Sequence, residues 1–326
     1  MSVSRVLLIV FRWGIFLLAC AFLFSRFTGP KGILASNVVS ELLRVPHLVP
    51  LFLGVFTLMI VNWGLEAMKW RILMHPVEYV APLRAFWATI AGTSVGLVSV
   101  NRTGDLVGRV LFLRPENRVS GGFASALGSI AQFVVTLVLG GFGVLGLALS
   151  GGPLPWPEGW MTWMLVSLTT LASVAALVLY LYPALFRQLL LHLPVLRRLE
   201  RASSVLGDHK GHELVRVLVL SALRYLVFGV QFILLLHGFD SAVPTSAAVL
   251  AIPVVYLIAT LIPTLMLTEL GVRGSVALAV LAPLGGVDGP VLLATTCLWA
   301  VNVALPACVG SVVLLLTKVR IRNEGT

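Results

Sequence analysis

NRTGDLVGR at residues 101–109 places three charged side chains and two glycines inside an apolar part of the chain. TELGVRG at residues 268–274 repeats this pattern with Glu269 and Arg273. We call these stretches the first and second charged motifs. In a membrane, an ionised side chain at mid-depth costs about 2.5–3.5 kcal/mol or more, so these charges need partners, water or a ligand. The two motifs are therefore the first candidates for a functional site.

The composition excludes a water-soluble globule. Of 326 residues, 59% are hydrophobic and 11% are charged, and the mean hydropathy is +1.02, whereas about a quarter of a soluble domain is charged. Windows long enough to cross the membrane as helices lie at residues 6–27, 48–67, 122–150, 161–182, 214–237 and 290–316. Two more apolar regions, residues 85–113 and 243–284, contain the charged motifs. Since the alternation typical of barrel strands is absent, the sequence predicts an all-α polytopic membrane protein.

The basic residues indicate an orientation in the membrane rather than nucleic-acid binding. The net charge is +10, but Lys and Arg are concentrated in the loop at residues 183–216 and are absent from residues 150–160 and 238–244. By the positive-inside rule, the first loop is cytoplasmic and the other two face outward. The same rule predicts a multi-pass protein with cytoplasmic N- and C-termini. Residues 28–47 and 185–199 are predicted to be interfacial helices or connectors.

This orientation predicts two repeats of opposite topology within a single transmembrane domain, residues 1–326. Residues 48–150 and 214–317 each contain a span, a charged-motif region and a second span, and residues 151–213 connect them. Such inverted repeats with glycine-interrupted segments at matching positions indicate a transporter's binding site. We therefore predict a re-entrant or broken helix hairpin at each motif. Two ordinary pairs of helices that cross the membrane fully are the alternative.

The charged side chains of the motifs suit a phosphate group. Helical spacing places Arg102, Asp105 and Arg109 on one face, and Glu269 and Arg273 on another. Three cations against two carboxylates leave one positive charge, and a guanidinium fork matches the oxygens of a phosphate. We predict that these five residues bind a phosphate-bearing lipid headgroup. Structural ion pairs that lock two hairpins together are the alternative.

The glycines of the motifs are predicted to form hinges or tight turns and to allow close approach, because glycine has no side chain and adopts backbone conformations that other residues avoid. They are Gly104, Gly108, Gly271 and Gly274. The glycines at positions 141, 143 and 146 match a dinucleotide-binding pattern by letters alone. No strand precedes them, so we interpret them as a helix-packing surface, which also leaves room for a homodimer.

Three polar residues within predicted spans are further candidates for substrate binding. Glu66 lies between two tryptophans with Lys69 beside it, which indicates either an interfacial aromatic belt with a local ion pair or a headgroup gate. Gln132 either binds a ligand or makes an interhelical hydrogen bond. Arg224 is charged within a span and is predicted to be a site residue.

Metal and cofactor chemistry find little support in the sequence. Asp208, His209, His212 and Glu213 have a metal-like composition, but they lie in a short hydrophilic loop and are predicted to be solvated. No His, Ser or Cys accompanies the motif carboxylates at a catalytic spacing. We therefore predict no cofactor, no metal site and no enzymatic activity.

The chain also carries four short motifs in a fixed order. They are Asn62-Trp63 with Lys69-Trp70-Arg71, Arg102-x-Gly104-Asp105-x-x-x-Arg109, Gly128-Ser129-x-x-Gln132, and Pro263 with Glu269-Leu270-Gly271-Val272-Arg273-Gly274. Their order and spacing resemble the lysylphosphatidylglycerol synthase transmembrane-region family, in particular its flippase-like, membrane-only members. The resemblance covers nearly the whole chain.

That resemblance implies a bacterial inner-membrane protein with two inverted re-entrant elements that handles lipids. In the best understood members it implies movement of an aminoacylated phospholipid to the outer leaflet, together with a soluble C-terminal aminoacyl-transfer domain. This chain stops at Thr326, so we expect no such transfer activity. Gly274 stands where many relatives carry an acid, which leaves the lipid substrate open.

Two classes of function remain from the sequence. In the first, the protein moves a membrane phospholipid or lipid-linked anionic substrate between leaflets, with the motif arginines on its phosphate. In the second, it is an integral-membrane enzyme acting on such a lipid, with Asp105 or Glu269 as acid or base. A scaffold for a separately encoded lipid-modifying enzyme is a further alternative.

Overall fold

A computed structural model of the chain describes residues 47–99, 102–182, 204–264 and 266–317, with the single positions 14, 185 and 188, and leaves out the side chains of residues 266–268. Within these residues the protein is helical and contains no strand. The all-α prediction is therefore confirmed. Apart from position 14, the predicted span at residues 6–27 lies outside the described residues, as do the C-terminus beyond residue 317 and nearly all of the two interfacial segments.

Ten α-helices make up the described part of the chain. They are α1 Leu48–Met74, α2 Pro82–Leu97, α3 Gly104–Val110, α4 Arg118–Leu149, α5 Trp160–Leu181, α6 Gly211–Gly238, α7 Thr245–Leu261, α8 Met266–Leu281, α9 Asp288–Trp299 and α10 Leu305–Leu316. A π-helical segment, Ala300–Ala304, joins α9 to α10 without a break. Short 3-10 turns lie at Pro115–Asn117, Ser204–Gly207 and Ala282–Leu284.

Among the described residues, five helical segments are long and apolar enough to cross a membrane. They are Leu48–Met74, Pro115–Leu149, Trp160–Leu181, Gly211–Gly238 and Asp288–Leu316. Each contains or closely matches one of the predicted windows, because in hydrocarbon a continuous helix satisfies its own backbone polar groups. The protein is thus a polytopic membrane protein.

The charged-motif regions form shorter helices. In the first half, α2 has 16 residues and α3 has 7, while in the second half α7 has 17 and α8 has 16. At 1.5 Å per residue, α2 and α3 reach only about 24 Å and about 10 Å, less than the hydrocarbon thickness. The helices follow the same order in both halves. The inversion of the two halves and the re-entrant path remain predictions.

The turns of both hairpins precede the motif glycines. The first break lies between α2 and α3, where Arg102 has a positive φ of 58°. The second lies between α7 and α8. Gly104 and Gly108 belong to α3 and Gly271 and Gly274 to α8, and none of the four has a positive φ. These glycines therefore lie in helices and none needs a positive φ, and the predicted hinge or turn role stays a prediction.

Close packing accounts for three of the four glycines. A Cβ at Gly104 would lie 2.4 Å from the carbonyl oxygen of Val95 on α2. A Cβ at Gly108 would lie 2.7 Å from the Cα of Gly92, so this glycine lets α3 lie directly on α2. A Cβ at Gly274 would lie 3.1 Å from the side chain of Leu292. At Gly271 an added Cβ would meet nothing within 4 Å, so packing does not require glycine there.

The glycines of α4 form the predicted packing surface. A Cβ at Gly143 would lie 2.6 Å from the carbonyl oxygen of Leu250, and one at Gly140 would lie 2.7 Å from Leu257. Both contacts join α4 to α7, so this helix pair packs backbone against backbone. This stripe is occupied within the chain and no longer argues for the homodimer, which remains a prediction.

His209 is not solvated, contrary to the sequence-based expectation. Its side chain is buried, with Nδ1 2.9 Å from the carbonyl oxygen of Val205 and Nε2 3.1 Å from that of Leu73. The imidazole thus joins the loop before α6 to the end of α1. Among the described residues, no group of three or more His, Cys, Asp or Glu side chains lies together.

Candidate functional site

The first charged motif lies in a network of ion pairs that begins on α3. Arg109 donates from Nε to Asp105 Oδ1 at 3.1 Å, and its Nη2 contacts Asp105 Oδ2. Its Nη1 lies 2.5 Å from Glu66 Oε1 on α1. The spacing of four along α3 brings the first pair together, as the sequence predicts.

Glu66 is the centre of this network. Its side chain is only 4% exposed, and Oε2 lies 2.7 Å from both Lys69 Nζ and Arg224 Nη1. We call Glu66, Lys69, Asp105, Arg109 and Arg224 the Glu66 cluster. It is contributed by α1, α3 and α6, so it joins the two halves of the chain. Taking one charge out of such a buried set leaves its partners uncompensated.

The local ion pair predicted at Glu66 exists, but the aromatic belt around it does not. Trp63 and Trp70 are both buried, and Trp70 Nε1 donates to Ser125 Oγ at 2.8 Å. The guanidinium carbon of Arg224 lies 5.4 Å from the ring centroid of Trp63. These tryptophans therefore pack around the ion cluster, and their placement at a membrane interface is a wrong expectation.

The two charged motifs contact each other directly. Arg102 Nη2 donates to Glu269 Oε1 at 2.6 Å, and Arg102 Nε lies 3.4 Å from Oε2. Arg273 Nε donates to the same Oε1 at 3.0 Å. We call these three residues the motif bridge. Glu269 and Arg273 share a helix face as predicted, whereas Arg102 precedes α3 and reaches Glu269 rather than Asp105, so its predicted face is wrong.

A pair of asparagines holds Arg224 from behind. Arg224 Nε donates to Asn62 Oδ1 at 2.8 Å, and Asn62 Nδ2 donates to Asn302 Oδ1 at 3.3 Å. Asn302 lies in the π-helical segment and donates in turn to the carbonyl oxygen of Leu298. Sequence reasoning missed this pair. Asn302, like Gln132, is a single amide side chain within an apolar span, so the criterion that selects Gln132 would also select Asn302.

The Glu66 cluster lines a cavity of about 300 Å³, which we call the mixed cavity. Its charged lining residues are Glu66, Lys69, Arg102, Asp105, Arg109 and Arg224. Gly128, Ser129 and Gln132 of the third sequence motif line it as well. The sequence motifs that are separated along the chain therefore surround one space.

A second cavity of about 210 Å³ adjoins the first, and we call it the arginine cavity. Arg102, Arg224 and Arg273 line it together with aromatic side chains that include Tyr225 and Tyr256. None of the described residues that line it is Asp or Glu. The two cavities share a wall made by Arg102, Gln132, Thr136, Arg224 and Thr260.

Gln132 is part of this shared wall. Its side chain makes no hydrogen bond with another described residue, and its Oε1 is buried without a donor. The interhelical hydrogen bond considered for Gln132 is therefore absent from the described part of the chain. Its role as a ligand contact remains a prediction, and a ligand donor or a rotation of the amide would satisfy the oxygen.

The polar residues of the site lie near the middle of their helices. Arg224, Gln132, Asn62 and Asn302 each stand at or next to the midpoint of a membrane-length segment. The middle of a spanning helix lies deepest in the hydrocarbon, so a polar group there costs the most free energy unless it binds another polar group or a ligand. Seven of the eight predicted substrate-binding residues line the two cavities, and the eighth, Glu269, holds Arg102 and Arg273.

The charge balance of the site exceeds the sequence-based count. The Glu66 cluster and the motif bridge together contain five cations and three carboxylates, which leaves two positive charges. Several guanidinium nitrogens contact no acceptor among the described residues. They are Arg102 Nη1, Arg224 Nη2 and both Nη atoms of Arg273. The arrangement therefore has both the charge and the free donors to hold an anion.

Comparisons with known proteins identify a family for this chain but no individual relative. No curated protein and no solved structure matches it significantly. The family described as Lysylphosphatidylglycerol synthase TM region matches residues 5–310, a range that contains every charged residue of both cavities. With nearly the entire sequence matched, the chain belongs to the Lysylphosphatidylglycerol synthase TM region family.

Proposed function

We propose that the protein moves a phospholipid, or another lipid-linked anionic substrate, between membrane leaflets and holds its phosphate in the arginine cavity. The family is a membrane region linked to lipid modification or flipping. The observation that carries the proposal is the convergence of Arg102, Arg224 and Arg273 on one cavity without a carboxylate in its described lining. They come from three separate segments, the break before α3, helix α6 and helix α8.

The arginines are held in place before a ligand arrives. Glu66 and Asn62 orient Arg224, and Glu269 orients Arg102 and Arg273. Each guanidinium keeps at least one nitrogen that contacts no acceptor in the described chain. Because guanidinium and phosphate form short, charge-assisted hydrogen bonds, a phosphate in this cavity would satisfy those nitrogens and offset the positive surplus.

The state of the carboxylates favours binding and movement over catalysis. Glu66, Asp105 and Glu269 each accept hydrogen bonds from at least one guanidinium. A general acid or base must exchange its proton with the substrate, and a carboxylate held between guanidinium groups is a poor proton donor. The enzyme alternative therefore has less support than lipid movement.

The motif bridge supplies a route for the movement. Glu269 and a bound phosphate would compete for the same two guanidinium groups, those of Arg102 and Arg273. When the phosphate takes them, the contact between the two halves weakens and one side of the site opens. Alternating access around a fixed midplane site is the general scheme of transporters built from inverted repeats.

The test is lipid movement in reconstituted vesicles. The probe is phosphatidylglycerol with a fluorophore on one acyl chain, and a membrane-impermeant reductant quenches only the outer leaflet. Arg273→Gln should slow the movement about tenfold or more, because one charge-assisted hydrogen bond to the phosphate is lost. Glu269 keeps Arg102 in this variant, so the fold should persist.

Arg216→Gln is the matched control, since Arg216 is exposed on α6 and lines neither cavity. Its rate should equal that of the wild type. Unchanged rates for both Arg273→Gln and Arg102→Gln would contradict the proposed site. Wild-type protein that binds the probe without moving it would favour the scaffold alternative instead.

A further inference from the structure

We infer that the mixed cavity selects a lipid headgroup that carries hydroxyl groups and no positive charge, such as a glycerol or a sugar on the phosphate. This inference rests on the proposed function and names the substrate class for the same site. It also separates this chain from a carrier of aminoacylated lipids, whose headgroups are cationic. Four structural observations support it.

The first observation is the net charge of the mixed cavity. Lys69, Arg102, Arg109 and Arg224 line it with two carboxylates, and with Glu269 counted against Arg102 a surplus of one positive charge remains. A phosphate in the adjoining arginine cavity would offset part of this surplus. A headgroup ammonium would instead add a like charge in a space of low dielectric, where repulsion is screened weakly.

The second observation is that both carboxylates of the mixed cavity are already paired with cations of the protein. Both oxygens of Asp105 accept from Arg109. Glu66 is shared by three cations, Lys69, Arg109 and Arg224. A lysyl or ethanolamine headgroup would therefore have to share a carboxylate whose charge a guanidinium of the protein already neutralises.

The third observation is a set of acceptors that need a donor. Thr93 and Thr136 donate their hydroxyl protons to backbone carbonyl oxygens at 3.1 Å and 2.9 Å, so these hydroxyls can only accept from a ligand. Gln132 Oε1 has no donor. All three residues line the mixed cavity, beside cations that can only donate. A ligand hydroxyl suits both groups because it donates and accepts.

The fourth observation is the position of Lys69. Its side chain is 2% exposed, and its partner Glu66 already has two arginines. Lys69 is therefore not required to neutralise Glu66, and it contributes much of the surplus charge. We assign Lys69 the role of excluding cationic headgroups.

The experiment compares three fluorescent lipids with identical acyl chains in the same vesicles. They are phosphatidylglycerol, phosphatidylethanolamine and lysyl-phosphatidylglycerol. The wild type should move phosphatidylglycerol at least about tenfold faster than the lysyl lipid, with phosphatidylethanolamine between them. Lys69→Met should narrow this ratio several-fold. Lys210→Met, the exposed control, should leave the ratio unchanged.

The lipid panel tests selectivity on the wild type alone, so it does not depend on the folding of a variant. Equal rates for the three lipids, or faster movement of the lysyl lipid, would overturn the inference and leave the proposed function standing. Movement of none of the three would instead count against the proposed function. A folded Lys69→Met protein with the wild-type ratio would overturn the role of Lys69.

A soluble competitor identifies the source of the headgroup. Glycerophosphoglycerol has the same phosphodiester and hydroxyls without acyl chains. It should inhibit movement of phosphatidylglycerol only at concentrations far above those of the lipid, because the chains hold the lipid next to the site. Inhibition at equal concentration would mean that the site serves a soluble phosphodiester, and would overturn the assignment to a lipid.

Discussion

The two charged motifs occupy matching places in the two halves of the chain, yet they are packed differently. In the first, Arg109 is only 7% exposed, binds the buried Glu66, and lies on a helix whose Gly108 touches the backbone of α2. In the second, the side chain of Arg273 is 36% exposed and Gly271 faces open space. The first motif is therefore clamped and the second is comparatively free.

This difference suggests separate roles for positions that look equivalent in the sequence. A clamped motif can hold Asp105 and Arg109 in one geometry throughout a transport cycle. A motif with an accessible arginine can exchange a carboxylate for a phosphate. Arg102 belongs to the first motif and bonds to the second, so it couples the fixed part to the exchanging part.

The strongest test of the clamp is Glu66→Gln. Three buried or largely buried cations, Lys69, Arg109 and Arg224, would lose their shared carboxylate. Breaking a buried ion pair in this way costs about 3–5 kcal/mol. Thermal unfolding of the purified protein in detergent should show a large loss of stability.

Glu158→Gln is the control for this variant, because Glu158 is exposed in the loop before α5. Its effect should stay within about 0.5 kcal/mol. A stable Glu66→Gln protein would mean that the cluster does not clamp the first motif. The double variant Glu66→Gln with Lys69→Met should recover part of the stability, since one uncompensated charge is removed.

A matched glycine pair gives the next largest effect. Gly108→Ala would place a Cβ 2.7 Å from the Cα of Gly92, where backbone lies on backbone. Overpacking of this kind costs about 1–3 kcal/mol. Gly271→Ala adds its methyl group to open space within a helix and should be neutral or stabilise by up to about 1 kcal/mol. Equal destabilisation of both, measured by thermal unfolding, would remove the difference between the motifs.

A smaller loss of stability than that of Glu66→Gln is expected for Glu269→Gln, which opens the motif bridge. Arg102 and Arg273 are about one-third exposed, so losing their shared carboxylate should cost less than the loss of Glu66, whose partners are more deeply buried. Binding should change in the opposite direction, because the freed guanidinium groups attract phosphate more strongly. We expect several-fold tighter retention of phosphatidylglycerol by the purified protein, together with slower movement. Weaker retention would contradict competition between Glu269 and phosphate.

Much of the fold could be predicted from the sequence, because hydrocarbon demands long apolar helices and the described spans match the predicted windows. The convergence of Arg102, Glu66, Arg224 and Glu269 follows from the same logic, since isolated charges in a membrane need partners. The first break lies at Arg102, within the first charged motif, where the sequence predicts one, whereas the break between α7 and α8 precedes the second motif. Glycine permits both turns and close approach, and only the tertiary contact reveals that Gly108 approaches the backbone of α2.

The parts of the site that escaped the sequence involve partners far apart in the chain. The sequence links Lys69 only to its neighbour Glu66, and no local pattern indicates that Arg109 and Arg224 share the same carboxylate. Asn62 and Asn302 are 240 positions apart, so no local pattern links them. Arg102 and Arg224 line both cavities, but Glu66 and Asp105 line only the mixed cavity. That arrangement depends on the tertiary structure and cannot be read from the sequence.

The π-helical segment Ala300–Ala304 also determines which way the side chains of α10 point around the helix axis. A π turn acts as one inserted residue, which rotates the downstream helix by about 100° relative to an uninterrupted α-helix. Asn302 lies within the segment and contacts Asn62, and Gly310 in the rotated helix lies on the backbone of Ile90 in α2. Two contacts, Asn302 with Asn62 and Gly310 with Ile90, therefore depend on the number of residues in the last span. Deleting one residue from the π-helical segment should disrupt both contacts.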